Sequence, residues 1–260
     1  MTALVGAQLY SLREAGDRAG AFAALAAAGI GAVEPYDLGD VPGLRADADR
    51  HGLAIPSVHA RDADPATLDR VAALGAHTLV IPRSEPEDWA DADGIRRVGA
   101  RLADAQRRAA RAGLDLAYHN HYWELARLPD GRHGLDLLAA STPPEVGFQV
   151  DLYWAHVGGA DVATLLGRLG DRVVSVHVKD GPGGVAGDQV ELGHGVLPVA
   201  EVLAAAPPGA GRILEIDRCA GPVLELLARN RAALARFDPA VRRDRRPHGA
   251  KEASPHGPAD

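Results

Sequence analysis

The feature of this sequence that most constrains its fold is the regular alternation of short β-rich runs with helical runs. Candidate strands lie at Ala3–Tyr10, Ala32–Glu34, Leu53–His59, Thr78–Ile81, Leu114–His119, Glu145–Asp151, Val173–Lys179 and Arg212–Asp217. Candidate helices lie at Asp17–Ala28, Gly43–His51, Pro65–Leu74, Asp91–Ala112, Leu135–Ala140, Asp161–Leu169, Pro198–Ala206 and Pro222–Phe237. Several of these helical runs are followed by glycine, which tolerates the left-handed conformation at a helix end. Eight such β/α units predict a single (β/α)8 barrel of the TIM type.

A doubly wound open sheet is the alternative fold for the same alternation. That fold has fewer strands and, where it binds a dinucleotide, a glycine-rich first turn. The first strand here runs through "VGAQLYS", Val5–Ser11, which contains no G-x-G-x-x-G motif. The sequence therefore favours the barrel and predicts no nucleotide cofactor.

Charge and cysteine content narrow the classes of function. The 260 residues carry a formal charge of −7, which argues against a broad nucleic-acid surface. Cys219 is the single cysteine, so a disulfide within the chain is excluded and a reducing compartment is indicated. We expect a cytoplasmic protein without signal peptide or membrane contact, whose partner is a small molecule; assembly into a homo-oligomer stays open.

The last residues differ from the rest of the chain in composition. Positions 238–260 combine charges, prolines and glycines without an apolar period. Their basic cluster at Arg242, Arg243, Arg245 and Arg246 is more typical of a solvated tail than of an anion site. We therefore predict a TIM-barrel catalytic domain over residues 1–237 and a disordered C-terminal tail over residues 238–260.

Polar residues collect at the carboxyl ends of the predicted strands, where TIM barrels carry their active sites. Because side chains alternate along a strand, the valines of "RVVSVHVKD" pack on the helices while His177 and Lys179 face the barrel mouth. The same alternation turns further polar residues inward: His119, His121, Gln149, Asp151, Glu215 and Asp217. Each one alone could be an ordinary polar strand end. Four consecutive strands with histidine or carboxylate on one side favour a divalent metal site, for Mn, Mg, Co or Zn.

Several segments together resemble the sugar phosphate isomerase/epimerase family of xylose isomerase-like barrels. They are Gly6–Glu14, Gly31–Tyr36, Tyr118–Leu125, Val150–Gly159, Val176–Asp180, Glu191–Leu203 and Leu214–Asp217. The resemblance implies a TIM barrel with one divalent metal ion that acts on a sugar, keto-sugar or cyclitol by proton abstraction next to a carbonyl. Because the family also includes inosose dehydratases and abasic-site endonucleases, it implies the fold more firmly than the reaction.

The resemblance also implies which residues bind the metal. Asp151, His177 and Glu215 stand where the family's ligands from strands six, seven and eight usually stand. The strand-five ligand is commonly a glutamate, but here a "YHNH" segment places His119 at that position, and His121, two residues on, is the alternative ligand. Family epimerases use two opposed glutamates on the metal, so this replacement favours isomerisation or dehydration over epimerisation.

Candidates for catalysis are Glu215 or His121 as the base and Lys179 as the group that stabilises developing negative charge. A desolvated Lys179 that stays neutral could instead be a base itself. Candidates for substrate contacts are Gln8, Glu34, His59, Glu124, Trp154 and His194. Trp154 could equally pack under a loop, and His194 could equally cap one.

Three other functions compete with a sugar isomerase or epimerase. A keto-sugar or inosose dehydratase would use the same site. An abasic-site phosphodiesterase would need more metal ligands and a basic face, and the negative net charge of the chain disfavours such a face. A non-catalytic sugar-binding relative is disfavoured by the intact Asp151, His177 and Glu215. The few arginines expected at the mouth favour a substrate without phosphate.

Overall fold

The computed structural model describes residues 3–242 of the chain, and within them eight parallel strands form one sheet. The strands are β1 (Val5–Gln8), β2 (Ala32–Glu34), β3 (Ser57–His59), β4 (Thr78–Ile81), β5 (Asp115–His119), β6 (Val146–Asp151), β7 (Val173–Val178) and β8 (Gly211–Leu214). Their order is β2-β1-β8-β7-β6-β5-β4-β3. The two outer strands meet where the Val33 N–H donates to the Ala54 carbonyl at 2.9 Å. The predicted single (β/α)8 barrel is therefore confirmed, with a nearly closed sheet.

Helices surround the sheet over the described part of the chain. They are α1 (Arg18–Ala27), α2 (Val41–His51), α3 (Pro65–Ala73), α4 (Ala92–Arg111), α5 (Gly134–Ser141), α6 (Leu152–Val157), α7 (Val162–Leu169), α8 (Val199–Ala205), α9 (Val223–Phe237) and α10 (Pro239–Arg242). Aspartate side chains cap many of their N-termini; Asp40, for example, accepts from the Gly43 N–H and starts α2 earlier than predicted. None of the helices in residues 3–242 has the length and apolarity needed to cross a membrane.

The hydrophobic core lies between the strands and the helices. Outward residues of the strands, such as Val150, Val176 and Leu214, are fully buried there, as the alternation of side chains predicts. Three strands are shorter than predicted by two or more residues: β1, β3 and β8. β3 begins after Pro56, which has no N–H to donate to a neighbouring strand. β8 ends at Leu214: the Glu215 N–H still donates to the Val178 carbonyl at 3.4 Å, but the N–H groups of Ile216 and Asp217 donate to side-chain oxygens of Ser11 and Gln189.

The prediction that disorder begins at residue 238 is wrong for the first five residues. Asp238 is buried and its Oδ2 lies 2.7 Å from Nε of the fully buried Arg212 on β8. The α10 helix follows, and the Ala240 carbonyl accepts a hydrogen bond from the Ala3 N–H at 3.2 Å. Val241 is also buried in the core, but a single buried apolar residue beside a buried ion pair gives no hydrophobic period from which this docking could be predicted. The rest of the predicted tail, residues 243–260, lies outside the described residues.

Candidate active site

The carboxyl ends of β5, β6, β7 and β8 bring the four predicted metal ligands together. His119 ends β5, Asp151 ends β6, His177 lies near the end of β7, and Glu215 directly follows β8. One potential ligand atom from each side chain lies within 4.8 Å of the others, and all four residues are buried. Parallel strands end at one rim of the barrel, so residues far apart in sequence converge there.

The donor set fits a divalent metal ion. Two imidazoles and two carboxylates are ligands that such ions take in proteins. Asp151 Oδ2 is buried. It forms an ion pair with Lys179, whose Nζ lies 2.8 Å away, but the angles of this contact do not make it a hydrogen bond, and no other described residue donates one to this oxygen. Burial, above all, raises the pKa of Asp151 to about 6, although Lys179 alone would lower it. Because the one ammonium of Lys179 is shared by Asp151, Glu215 and Asp217, a further cation would help to balance these buried carboxylates.

A second set of possible ligands overlaps the first. His59, His119 and His177 also bring one nitrogen each within 4.8 Å of the others. The His59 Nε2 already lies 2.7 Å from Gln149 Oε1 and 3.0 Å from Glu34 Oε1. The set with Asp151 and Glu215 is the stronger candidate, because its two carboxylates would balance the charge of a divalent ion.

Glu34 and Gln8, predicted to contact substrate, lie beneath the candidate ligands. Both side chains are fully buried, and Gln8 Nε2 donates to Glu34 Oε1 at 2.8 Å. Glu34 Oε1 also lies 2.9 Å from His177 Nε2, while His177 Nδ1 lies 3.0 Å from Glu215 Oε2. Burial lowers the pKa of His177, but Glu215 and Glu34 outweigh it and raise that pKa to about 10. Glu34 therefore orients a candidate ligand.

Lys179 lies fully buried among three carboxylates. Its Nζ is 2.8 Å from Asp151 Oδ2 and 2.7 Å from Asp217 Oδ2, and it also pairs with Glu215. Burial alone would lower the pKa of Lys179, but the three carboxylates outweigh burial and raise the pKa well above its ordinary value. The side chain is therefore an ammonium, which favours charge stabilisation over the neutral-base alternative.

A cavity of about 320 Å³ opens over these residues at the barrel mouth. Its wall contains the predicted site residues His59, His119, His121, Trp154 and Glu215. It also contains residues that the sequence did not assign to substrate contact: Tyr10, Tyr36, Ala60, Arg61, Pro82, Arg83 and Asp217. The volume is near the lower end of the range for small-molecule sites, about 300–1,000 Å³, and suits a ligand of monosaccharide size.

His121 and Glu124 play different parts at the mouth. The His121 ring stacks on Trp123 with centroids 4.4 Å apart, and its buried Nδ1 has no hydrogen-bond partner. Glu124 is fully buried and outside the cavity wall; its carboxylate accepts from the His121 N–H at 2.9 Å and the Tyr118 hydroxyl at 3.0 Å. Glu124 therefore positions the segment that carries His121, where a direct substrate contact had been predicted.

His194 lies exposed on the loop between β7 and α8 and does not line the mouth cavity. The residue that organises this loop is Asp180, whose buried carboxylate accepts from the backbone N–H groups of Gly181, Gly193, Gly195 and Leu197. The approach is so close that a Cβ on Gly195 would lie 2.1 Å from Asp180 Oδ1. The glycines of "GHG" were the sequence signal for this backbone contact.

Comparison with known proteins agrees with the architecture. The family model of the xylose isomerase-like TIM barrel matches residues 22–216. The crystal structure of a sugar phosphate isomerase/epimerase from Parabacteroides distasonis ATCC 8503 superimposes with a TM-score of 0.75 at 22% identity, covering 93% of this chain and 96% of that one. The IolI protein with a bound zinc atom gives a TM-score of 0.71 at 13% identity, covering 94% of this chain and 99% of that one.

One curated relative is similar in sequence over part of its length. The rhizopine catabolism protein MocC of Rhizobium meliloti is 31% identical over 104 residues, which are 40% of this chain and 29% of MocC. The match thus spans less than a third of that relative. The match of the family model to most of the barrel, with the eight-stranded sheet, shows that the chain belongs to the xylose isomerase-like TIM barrel family.

Proposed function

We propose that this protein is a divalent-metal-dependent enzyme of the isomerase or epimerase type that abstracts a proton next to the carbonyl of a sugar, keto-sugar or cyclitol. The observation that carries the proposal is the buried set His119, Asp151, His177 and Glu215 beneath a cavity of monosaccharide size. Structural neighbours that include a sugar phosphate isomerase/epimerase and a zinc-containing IolI protein support it.

The four ligands and Lys179 would together favour negative charge at a substrate oxygen. A divalent ion held there supplies Lewis acidity, which polarises a carbonyl and stabilises the charge that proton loss creates. The carboxylates of Asp151 and Glu215 balance the charge of such an ion. The Lys179 ammonium contacts both carboxylates and adds positive charge at the same place.

Glu215 and His121 are the proposed proton carriers. Burial would raise the pKa of Glu215, but Lys179 and His177 outweigh it and hold that pKa well below its ordinary value, so the carboxylate is ionised. It lines the cavity and is placed to accept a carbon-bound proton. The His121 ring lines the same cavity and is the proposed group that returns a proton.

Dehydration of a keto-sugar or inosose is a second candidate for the same site. The observation that favours it is the histidine at the end of β5, where epimerases of this family carry a second glutamate. Burial lowers the pKa of His119 well below its ordinary value, so the ring is neutral and only weakly basic, which makes it a poor replacement for a carboxylate base. One carboxylate base and one acid suffice to remove a proton and expel a neighbouring hydroxyl. Product mass separates the two reactions, since dehydration alone loses water.

Removal of metal is expected to lower the thermal stability of the protein. A ligand present at about 100 times its Kd stabilises the folded state by about 2.7 kcal/mol. For a domain of this size that corresponds to a melting temperature lower by roughly 5–10 °C after chelation. Elemental analysis and thermal denaturation would be measured on protein as purified, after EDTA, and after addition of Mn, Mg, Co or Zn.

Two histidine variants sharpen this metal test. His177→Gln removes a proposed ligand and should abolish both the bound metal and the stabilisation by added ions. His194→Gln alters an exposed histidine outside the cavity and should retain both. Protein without bound metal, whose melting temperature none of the four ions raises, would rule out the metalloenzyme proposal.

A further inference from the structure

Arg61 and Arg83 lie side by side on the wall of the mouth cavity. Each is the second residue after its strand, β3 for Arg61 and β4 for Arg83, and these strands are paired in parallel. Both arginines line the cavity that also contains His119 and Glu215, and both line an adjoining groove of about 400 Å³ outside it. The two arginines therefore lie between the cavity that contains the candidate metal ligands and the groove outside it.

The positive charge of Arg61 is not neutralised by the residues that the structure describes. Its exposed guanidinium makes no hydrogen bond or ion pair with residues 3–242. The neighbouring Asp62 makes no contact with this guanidinium; its Oδ1 accepts from the Asp64 N–H at 3.3 Å and the Thr67 hydroxyl at 3.0 Å. An exposed guanidinium without a partner among residues 3–242, at the edge of a cavity, is available to a ligand.

Arg83 is held in place with one donor unsatisfied. Its Nη2 donates to Glu85 Oε2 at 2.9 Å, and its guanidinium carbon lies 5.6 Å from the centre of the Trp123 ring. The Arg83 Nε is buried and has no hydrogen-bond partner. A buried N–H without an acceptor is unfavourable, and an oxygen atom of a ligand would relieve it.

The acidic residues of the cavity do not offset this charge, because they have partners elsewhere. Glu215 and Asp217 both pair with Lys179. Glu85 is exposed, and an exposed ion pair with Arg83 is weak. The β3–β4 side of the mouth therefore presents two guanidinium groups to the cavity, while the proposed metal site lies on the β5–β8 side.

We propose that Arg61 and Arg83 form an anion-binding subsite and that the substrate carries an anionic group, a phosphate or a carboxylate, remote from the carbon that Glu215 deprotonates. Guanidinium groups match both oxyanions through charge-assisted hydrogen bonds. The substrate assignment rests on the proposed function, whereas the anion subsite itself does not. If the anion is a phosphate, this proposal replaces the expectation of a substrate without phosphate, which came from the few arginines expected at the mouth.

Calorimetric titration with three ketoses of one carbon skeleton tests the subsite. The probes are D-fructose, D-fructose 6-phosphate and D-fructuronate, which carry no charge, a phosphate and a carboxylate. At least one charged ketose should bind about tenfold more tightly than fructose, the effect expected of one charge-assisted hydrogen bond. The charged ketose that binds more tightly identifies the anion.

Variants of single arginines show where the preference originates. Arg61→Gln and Arg83→Gln should each weaken binding of the charged ketose more than binding of fructose, so that the tenfold preference falls. Arg70→Gln, on the exposed surface of α3 and outside the cavity, is the matched control and should behave as the unsubstituted protein. Equal binding of all three ketoses, or equal losses in Arg70→Gln and Arg61→Gln, would overturn the subsite.

Deuterium exchange distinguishes failure of the subsite from failure of the proposed reaction. If an anionic preference depends on Arg61 while no keto-sugar or inosose exchanges a proton, the subsite stands and the proposed chemistry fails. If exchange depends on Glu215 while charged and uncharged ketoses bind equally, the chemistry stands and the subsite fails. Thermal denaturation of each variant verifies that the binding data come from folded protein.

Discussion

Glu215→Gln is expected to reduce solvent-deuterium exchange into the substrate by roughly a hundredfold to ten-thousandfold, the contribution of a positioned general base. Glutamine keeps the size of the side chain but neither accepts the proton nor carries the charge that pairs with Lys179 and His177. The measurement is incorporation of deuterium from D₂O into a panel of keto-sugars and inososes at saturating divalent metal. Exchange reports proton abstraction whether the product is an isomer, an epimer or a dehydrated sugar.

The control for this experiment is Glu225→Gln, which changes an exposed glutamate on α9 and should exchange at the unsubstituted rate. Metal content of Glu215→Gln must be measured in parallel, so that loss of a base is distinguished from loss of a ligand. Exchange by Glu215→Gln at the unsubstituted rate would exclude it as the base. Cleavage of abasic-site DNA that depends on Glu215 would instead favour the phosphodiesterase alternative.

Asp238→Ala is expected to lower the free energy of unfolding by about 3–5 kcal/mol, the usual effect of leaving a buried charge without its partner. Arg212 is fully buried, and its Nη1 donates only to the carbonyls of Pro207 and Ala210. Without Asp238 its guanidinium charge would have no counter-charge in contact among residues 3–242. Urea-induced unfolding followed by circular dichroism measures the change.

Two further variants make this stability test specific. Glu225→Gln removes one member of an exposed pair with Arg229 and should change the unfolding free energy by less than about 1 kcal/mol. The double variant Arg212→Met with Asp238→Leu removes both buried charges and should recover most of the loss. A loss below about 1 kcal/mol in Asp238→Ala would contradict the assignment of residues 238–242 to the barrel.

The candidate metal ligands were predictable because strand geometry leaves little freedom at their positions. Alternate side chains of a strand point to opposite faces, so the inward side of His119, Asp151 and His177 follows from the apolar residues beside them. These residues share one rim because all strands of a parallel barrel have their carboxyl ends at the same face. The register of neighbouring strands then places their potential ligand atoms within 4.8 Å of one another.

Depth along the barrel axis was not predictable in the same way. Glu34 and His59 both end their strands, yet His59 lines the cavity while Glu34 is buried beneath it and orients His177. Glu124 follows β5 in sequence but turns away from the cavity to bind the His121 backbone. The sequence shows which face a residue takes, whereas its height at that face depends on barrel shear and loop path.

The sequence by itself determined the fold class and the inward orientation of the residues at the strand ends. Both follow from local rules, since hydrophobic period sets the type of each element and backbone pleating sets the direction of each side chain. Only the tertiary structure decided the arrangement between elements: the docking of Asp238 on Arg212, and the arginine pair beside the cavity. Those contacts join residues on different elements or loops, and their distances depend on how the whole barrel closes.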